Sequence, residues 1–464
     1  MQVDVVVLGA GGGGYPAAFR LARSGRQVVM VDEKGNLGGN CLYEGCVPSK
    51  SVRQASVVWQ KARHGEFFGL QTAGVNAPWS GIRSYKDGVQ RRRYAQHAKE
   101  IQATSHLTLI RGRGYFLDPN HVTIDNWDTG VSTTLKTQDV IIATGSEATP
   151  LPIPGFDQCW NQHDLFAWND TVPDLPGDVV ILGGGYIGVE SASMLEDLGV
   201  RVTLIEMEPT ILSTMDAELV EIVSASLKRR INLITGVVVD RIEEHTGSFT
   251  VIGHRVVDNG PMTWTTSRVL AAVGRQPAIP KALGLDTIGL AYTRHGIAVD
   301  SRMRTNVPHI YAAGDVNGLS MLFHSAVRMS EIVAQTILSG EQPTDYFRAE
   351  EMPTTVFARP ELFSVGLTRQ AAERRGLSVI EMTRPMGEEA WAQITGELEG
   401  QLKFVMHRGT GEIVGIHGVG VSSVELSAAA HMAVRLGLTA KALGEMTFPH
   451  PTQFEALDRL ARSV

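Results

Sequence analysis

Cysteine is the scarcest informative residue in this chain: three in 464, at positions 41, 46 and 159. So thin a supply excludes a disulfide-stapled scaffold. A structural zinc site usually pairs one CxxC with matching ligands downstream, and the isolated Cys159 does not provide them, so no metal is expected. Basic charge is also in deficit. The 42 Lys and Arg against 49 Asp and Glu leave a formal charge of -7, which argues against nucleic acid as a partner. No apolar run approaches the ~18 residues of a membrane span. The chain starts at 1–4 and passes directly into the apolar Val5-Val6-Val7-Leu8-Gly9, so this segment reads as a buried strand rather than a targeting peptide, and a cytoplasmic location is expected. In that reducing compartment a disulfide is catalytic more readily than structural.

What cysteine there is, is concentrated. Cys41 and Cys46 lie in Gly38-Gly39-Asn40-Cys41-Leu42-Tyr43-Glu44-Gly45-Cys46-Val47-Pro48-Ser49-Lys50. A helix rises about 1.5 Å per residue, so five positions span about 7.5 Å, beyond the roughly 4.4–6.8 Å Cα separation of an unstrained disulfide. The chain around Gly45 must therefore bend for the two sulfurs to meet. A strained, partly exposed disulfide is the labile kind. Glu44 between the cysteines is either a negative charge that raises the thiol pKa values or a solvated loop residue.

Glycine, at 49 residues, marks two nucleotide loops. An apolar strand over 3–8 meets Gly9-Ala10-Gly11-Gly12-Gly13-Gly14, then an Ala-rich helix over 15–24 and a strand over 27–31 ending at Asp32. In such a unit Gly9 makes the turn, Gly11 lets a pyrophosphate approach, Gly14 permits close helix packing, and Asp32 binds a ribose. The arrangement recurs: a strand over 179–182, then Gly183-Gly184-Gly185-Tyr186-Ile187-Gly188-Val189-Glu190, and a strand over 202–205 ending at Glu206. Glu206 favours NAD, because a carboxylate accepts from a free 2'-hydroxyl and repels a 2'-phosphate. Two such units imply two nucleotides. The stretch 55–104 has mostly helical periodicity, Pro150 to Pro154 marks a boundary, and from about 346 short alternating runs such as 354–357, 402–406 and 413–418 predict an antiparallel sheet with helices between.

Together these segments resemble the class I pyridine nucleotide disulfide oxidoreductases, and within that family the dihydrolipoamide dehydrogenase branch. The C-terminus lacks the cysteine pair of mercuric reductases, and Glu206 opposes the NADP preference of glutathione reductases. The resemblance implies an α/β fold with two Rossmann-like dinucleotide-binding domains plus a C-terminal α+β dimerisation domain. Residues 1–149 would be the first part of an FAD-binding domain, 150–270 an NAD-binding domain, 271–345 the second, central part of the FAD domain, and 346–464 the interface domain. It places FAD on the first fingerprint and NAD on the second, where Gly183, Gly185, Tyr186, Ile187 and Gly188 would meet the cofactor. Further FAD contacts are implied at Gly114 in the segment 112–119, at Thr144 and Gly145 in 140–146, and at Asp315 in 306–315; Gly274 lies in the return segment 271–277.

The same resemblance assigns the catalytic parts. Cys41 would be the outer sulfur that meets substrate and Cys46 the inner sulfur facing the flavin, with Lys50 beside the flavin paired to Glu190. In Phe448-Pro449-His450-Pro451-Thr452-Gln453-Phe454-Glu455, His450 would be the acid-base residue, oriented by Glu455 and supplied by the second subunit of a homodimer. The implied function is oxidation of dihydrolipoamide on a lipoyl-bearing carrier protein, or on the lipoyl domain of a multienzyme complex, with hydride passed to NAD. Alternatives on the same scaffold are an NAD(P)H-dependent disulfide or quinone reductase, an NADH oxidase, or a flavin-bearing assembly subunit. Three positions depart from the family pattern: Tyr43-Glu44 between the cysteines, Phe323 before His324, and Phe448.

Overall fold

In the computed structural model, residues 2–168, 172–339 and 345–464 are described. The first apolar run is continuous because both faces of its strand are covered. Strands β1 (Gln2–Leu8), β2 (Val28–Asp32), β3 (Leu107–Asp118), β4 (His121–Asn126) and β5 (Val131–Ile142) form one sheet with the strand Ile310–Ala312. β1 pairs in parallel with β2 and β5, β2 with the near half of β3, and β5 with Ile310–Ala312. The far halves of β3 and β5 leave the parallel layer and pair with β4 as an antiparallel meander. Val5, Val6 and Val7 are fully buried at its centre.

The plan is then repeated. Strands Asp178–Leu182, Arg201–Ile205, Asn232–Ile234 and Val269–Ala271 form a four-stranded parallel sheet, followed outside it by the antiparallel meander Val237–His245, Ser248–Arg255 and Pro261–Thr266. Where the chain passes between the two units, Ser146–Ala148 pairs antiparallel with Arg275–Pro277. The C-terminal part is a five-stranded antiparallel sheet in the order Thr354–Val356, Leu362–Gly366, Ile413–Val419, Gln401–His407, Val379–Pro385. Helices Ser423–Arg435 and Glu455–Arg462 bury Leu426 and Leu457 against its Phe363, Phe404 and Ile416. The fold is α/β, with two Rossmann-type units and a separate C-terminal domain.

Helix α1 (Tyr15–Arg23) follows the first glycine loop, and the cysteine segment forms α2 (Gly39–Tyr43) and α3 (Cys46–Arg63). The periodic stretch over 55–104 is carried by two helices: α3 ends at Arg63, and α4 (Trp79–Gln102) begins after a segment carrying Gly65, Gly69, Gly74 and Pro78. The inward face of α4 is apolar at Trp79 and Ile82 and polar from Lys86 onward. Lys86 and Gln90 are fully buried and His97 nearly so. They act on backbone carbonyls: Lys86 Nζ donates to Ala167 O at 2.8 Å, Gln90 Nε2 to Leu42 O at 3.0 Å and Tyr43 O at 2.8 Å, and His97 Nδ1 lies 3.3 Å from Leu37 O. Carbonyls at the end of a short buried helix need such donors, so α4 anchors the segment that carries Cys41.

Candidate active site

The two glycine loops have the same internal logic. Gly9 and Gly183 adopt φ of +107° and +103°, and a Cβ on either would strike the carbonyl of Ala143 or Ala272 at 2.2 and 2.4 Å. At Gly14 and Gly188 a Cβ would fall 2.0 and 1.9 Å from the oxygens of Gly9 and Gly183. These four positions let the chain turn and let helix meet strand. Gly11 and Gly185 differ: a Cβ would have no neighbour nearer than 3.7 Å at Gly11 and none within 4 Å at Gly185. Their fronts are open, as close approach of a pyrophosphate requires. The carboxylates that end the second strands also match. Asp32 accepts from the N–H groups of Ala10 (3.0 Å) and Lys34 (2.8 Å), and Glu206 accepts from those of Gly184 and, at 2.7 Å, Glu208. Each acid is thereby held against its own glycine loop.

A cavity of about 820 Å³ runs from the first loop to the cysteines. Its walls carry Gly9, Gly11 and Asp32 of the first unit, then Gly114, Thr144, Gly145 and Asp315, and also Cys41, Cys46, Lys50 and Glu190, with Tyr186 and Ile187 from the second fingerprint. Asp315 is nearly buried, accepts from Ser146 Oγ at 2.6 Å, and is raised above the usual carboxylate range by burial. Arg275 Nε donates to the same Ser146 Oγ at 2.8 Å. A cleft of this volume, lined by an open glycine cradle, a ribose-type acid and the nearly buried Asp315, fits FAD in size and chemistry. A smaller cavity of about 210 Å³ lies over the second loop, lined by Gly185, Tyr186 and Glu206. Tyr186 borders both cavities, its phenol pushed up to about 12 by burial. Gly274 turns the return segment with φ +108° and lines neither cavity.

Cys41 and Cys46 come together because the helix breaks between them. α2 ends at Tyr43, Gly45 takes φ -118° and ψ -116°, and α3 starts at Cys46. Both are free thiols here. Their mutual interaction lowers the Cys46 pKa against the opposing effect of burial, and the nearby Lys50 charge adds to the lowering; the same interaction, with burial, raises Cys41. Cys46 is thus poised as the thiolate and Cys41 as the proton holder. Cys46 is exposed and opens onto the cavity, while Cys41 is half-buried. Lys50 Nζ lies 2.6 Å from Glu190 Oε2.

Glu44 is not a solvated loop residue. Its carboxylate is largely buried and lies 2.8 Å from His163 Nδ1. Tyr43 packs against the same His163 ring at 5.9 Å and carries Lys34 Nζ 4.6 Å above its own ring. Phe323 and His324 both line the large cavity, the Phe323 ring covering Gly12. Several groups that shape this site escaped the sequence reading: Phe357, whose ring lies under Lys50; Gln90; and the Ser146–Arg275 pair that holds Asp315. Arg275 and Ser146 stood in recognisable segments, but nothing local marked Phe357 or Gln90.

His450 Nδ1 lies 3.0 Å from both carboxylate oxygens of Glu455, and the bond holds Glu455 below the usual carboxylate range. The ring is well exposed and does not line the cysteine cavity of its own chain. Phe448 stacks on Phe454 beside it, centroids 6.3 Å apart. Among the described residues no group of three or more His, Cys, Asp or Glu could hold a metal, and no helix is long and apolar enough to cross a membrane.

Residues 3–330 match the family model for pyridine nucleotide-disulphide oxidoreductases, and 352–461 that for the dimerisation domain of the same family. The dihydrolipoyl dehydrogenase of Geobacillus stearothermophilus is 32% identical over 455 residues, covering 97% of this chain and 94% of that protein. That of Mycobacterium tuberculosis is 35% identical over 468 residues, covering 98% and 96%. Among solved structures, the Cu(II) complex of the HOCl-induced flavoprotein disulfide reductase RclA from Escherichia coli superposes with a TM-score of 0.86 at 25% identity, covering 100% of both chains.

Proposed function

This chain belongs to the pyridine nucleotide-disulphide oxidoreductase family, and from that membership we propose that it is an NADH-dependent flavoprotein disulfide reductase working as a homodimer. The observation that carries the reading is the meeting, in one flavin-sized cavity, of Cys41 and Cys46 with the Lys50–Glu190 pair. FAD would be held by the open face of Gly11, by Asp32 and by Asp315, with Gly114, Thr144 and Gly145 along the cleft; when bound it supplies two-electron exchange between the nicotinamide and the cysteine pair. NADH would lie on the open face of Gly185, its ribose on Glu206.

The remaining steps fall to side chains of this protein. Two electrons delivered to a Cys41–Cys46 disulfide leave Cys46 as thiolate and Cys41 as thiol. His450 of the partner subunit, fixed in tautomer by Glu455, takes the Cys41 proton. Cys41 Sγ then attacks one sulfur of the external disulfide, forming a mixed disulfide and releasing one thiol that receives the proton from His450. Cys46 Sγ attacks Cys41 Sγ, which restores the internal disulfide and releases the second substrate sulfur as a thiolate, protonated from water. The sum consumes one NADH, one proton and one disulfide and yields NAD and two thiols.

A second reading runs these steps in reverse, with dihydrolipoamide on a lipoyl-bearing carrier as donor and NAD as acceptor. Its support is the 32–35% identity to dihydrolipoyl dehydrogenases over nearly the whole chain. Anaerobic titration of the flavin-loaded protein separates the two. Reduction of the cysteine pair by NADH with turnover of small disulfides, and little NADH from dihydrolipoamide plus NAD, supports the reductase; fast NADH formation from dihydrolipoamide overturns it in favour of the dehydrogenase.

A further inference from the structure

Phe357 follows the first strand of the C-terminal sheet, Thr354–Val356, yet it borders the cavity that holds the cysteines. The Lys50 ammonium lies 4.5 Å from the centroid of its ring. Its backbone N–H donates to Glu190 Oε1 at 3.0 Å, while Glu190 Oε2 takes Lys50 at 2.6 Å. One residue therefore grips both halves of an ion pair. A turn further along α3 the pattern repeats: Arg53 donates to Asp197 Oδ2 at 2.8 Å and to Ala358 O at 2.9 Å. Asp197 stands two helical turns beyond Glu190 on Tyr186–Asp197.

Two parallel rungs thus join α3, the helix of the second fingerprint and the start of the C-terminal domain. The rung at Asp197 is buried: its carboxylate has no exposed surface and also meets Arg359 at 2.6 Å. It fixes the backbone at 357–359 independently of the upper rung. The upper rung faces the cavity, where the Lys50 side chain keeps 30% of its surface exposed. A lysine has four rotatable bonds, and one carboxylate leaves its ammonium free to swing round that contact. A ring face offers a second attachment and keeps water off one side.

We propose that Phe357 is a positioning residue: its ring face, with its N–H on Glu190, aims the Lys50 ammonium into the cavity beside Cys46. The proposal rests on the reading of Lys50 as the cavity-facing cation of the redox site. Besides Lys50, the groups facing Cys46 are Cys41, Glu190 and Tyr186; Phe357 itself carries no charge, so its influence on the thiol passes through Lys50.

The test uses the flavin-loaded enzyme with its cysteine pair reduced. Phe357 is replaced by Tyr, by Leu, and by phenylalanines bearing one, two or three ring fluorines, which keep the shape while draining the π face. The readouts are the pH profile of Cys46 alkylation by iodoacetamide, and kcat and KM with NADH. We expect the alkylation profile to move to higher pH with each fluorine, F357L to lower kcat roughly threefold to tenfold with KM unchanged, and F357Y to behave as the parent. In a Lys50→Met background the fluorine series should have no effect. A flat profile across the series, or an equal response in the K50M background, overturns the proposal. Because the fluorinated residues are nearly isosteric, the result stands even if F357L fails to fold. The thiol profile needs no turnover, so failure of the proposed substrate reaction is recognised separately.

Discussion

Removal of the Lys50 charge should move the Cys46 titration upward, by an amount the geometry sets. Lys50 follows Cys46 by four residues in one helix, which brings their Cβ atoms to about 5–6 Å. At an effective dielectric of about 20, unit charges about 6 Å apart attract by about 3 kcal/mol, equivalent to about 2 pH units. Solvent reaches part of the Lys50 side chain, and screening reduces this to about 1 pH unit. The sign is unambiguous. The ammonium favours the ionised thiol, so Cys46 lies below the ordinary thiol range while Lys50 is present; in Lys50→Met that pull is lost and the Glu190 carboxylate, which opposes thiolate formation, is left unneutralised. Both changes raise the pH at which the thiolate forms. Glu190→Gln alone should shift the profile the other way, and K50M/E190Q should fall between. The assay is iodoacetamide alkylation of the reduced, flavin-loaded enzyme across pH. A K50M profile superimposable on the parent, in a protein with unchanged melting temperature, would refute the electrostatic reasoning.

Other perturbations test other parts. His450→Gln should lower disulfide turnover by roughly 10²–10⁴ while stopped-flow reduction of the cysteine pair by NADH proceeds at the parental rate, because the proposed mechanism uses His450 only on the substrate side. Gly188→Ala drives a Cβ to 1.9 Å from Gly183 O and should cost about 1–3 kcal/mol in chemical denaturation; Gly185→Ala, with open space in front, should leave stability alone and raise the KM for NADH. Glu44→Gln should hardly move the thiol alkylation profile, since His163 engages the carboxylate, and a downward shift above half a pH unit would contradict that. Glu361 is pushed up to about 7 by burial, from 4.5. A carboxyl group whose folded pKa is raised contributes stability below the unfolded pKa and loses it as pH rises through the folded one, so melting temperature should fall between pH 4.5 and about 7, and Glu361→Gln should flatten that slope.

Much of this was legible locally. The two strand–glycine–helix units could be read because each glycine answers a backbone demand: Gly9 and Gly183 turn where a side chain would strike a carbonyl, and Gly14 and Gly188 admit a helix against a strand. The bend between Cys41 and Cys46 followed from helix rise and disulfide reach alone, and the structure places it at Gly45. His450 and Glu455 are five residues apart and could be paired on paper. The helix α4 could be anticipated from periodicity, but not the use of its face: Lys86, Gln90 and His97 have the composition of a solvated surface, and they are buried against carbonyls of residues 37–43 and 166–167.

Apolar periodicity, glycine placement and the cysteine spacing are properties of neighbouring residues, and neighbouring residues determine them; the two strand–glycine–helix units and the bend between the cysteines therefore belonged to the sequence by itself, and the fold class to its resemblance to a family. The contacts of Phe357 with Lys50 and Glu190, of Gln90 with the end of α2, and of His163 with Glu44 join residues 307, 167, 47 and 119 positions apart. Only tertiary packing around the cavity decides them, because no local preference of a phenylalanine, a glutamine or a histidine specifies which distant charge or carbonyl it will meet.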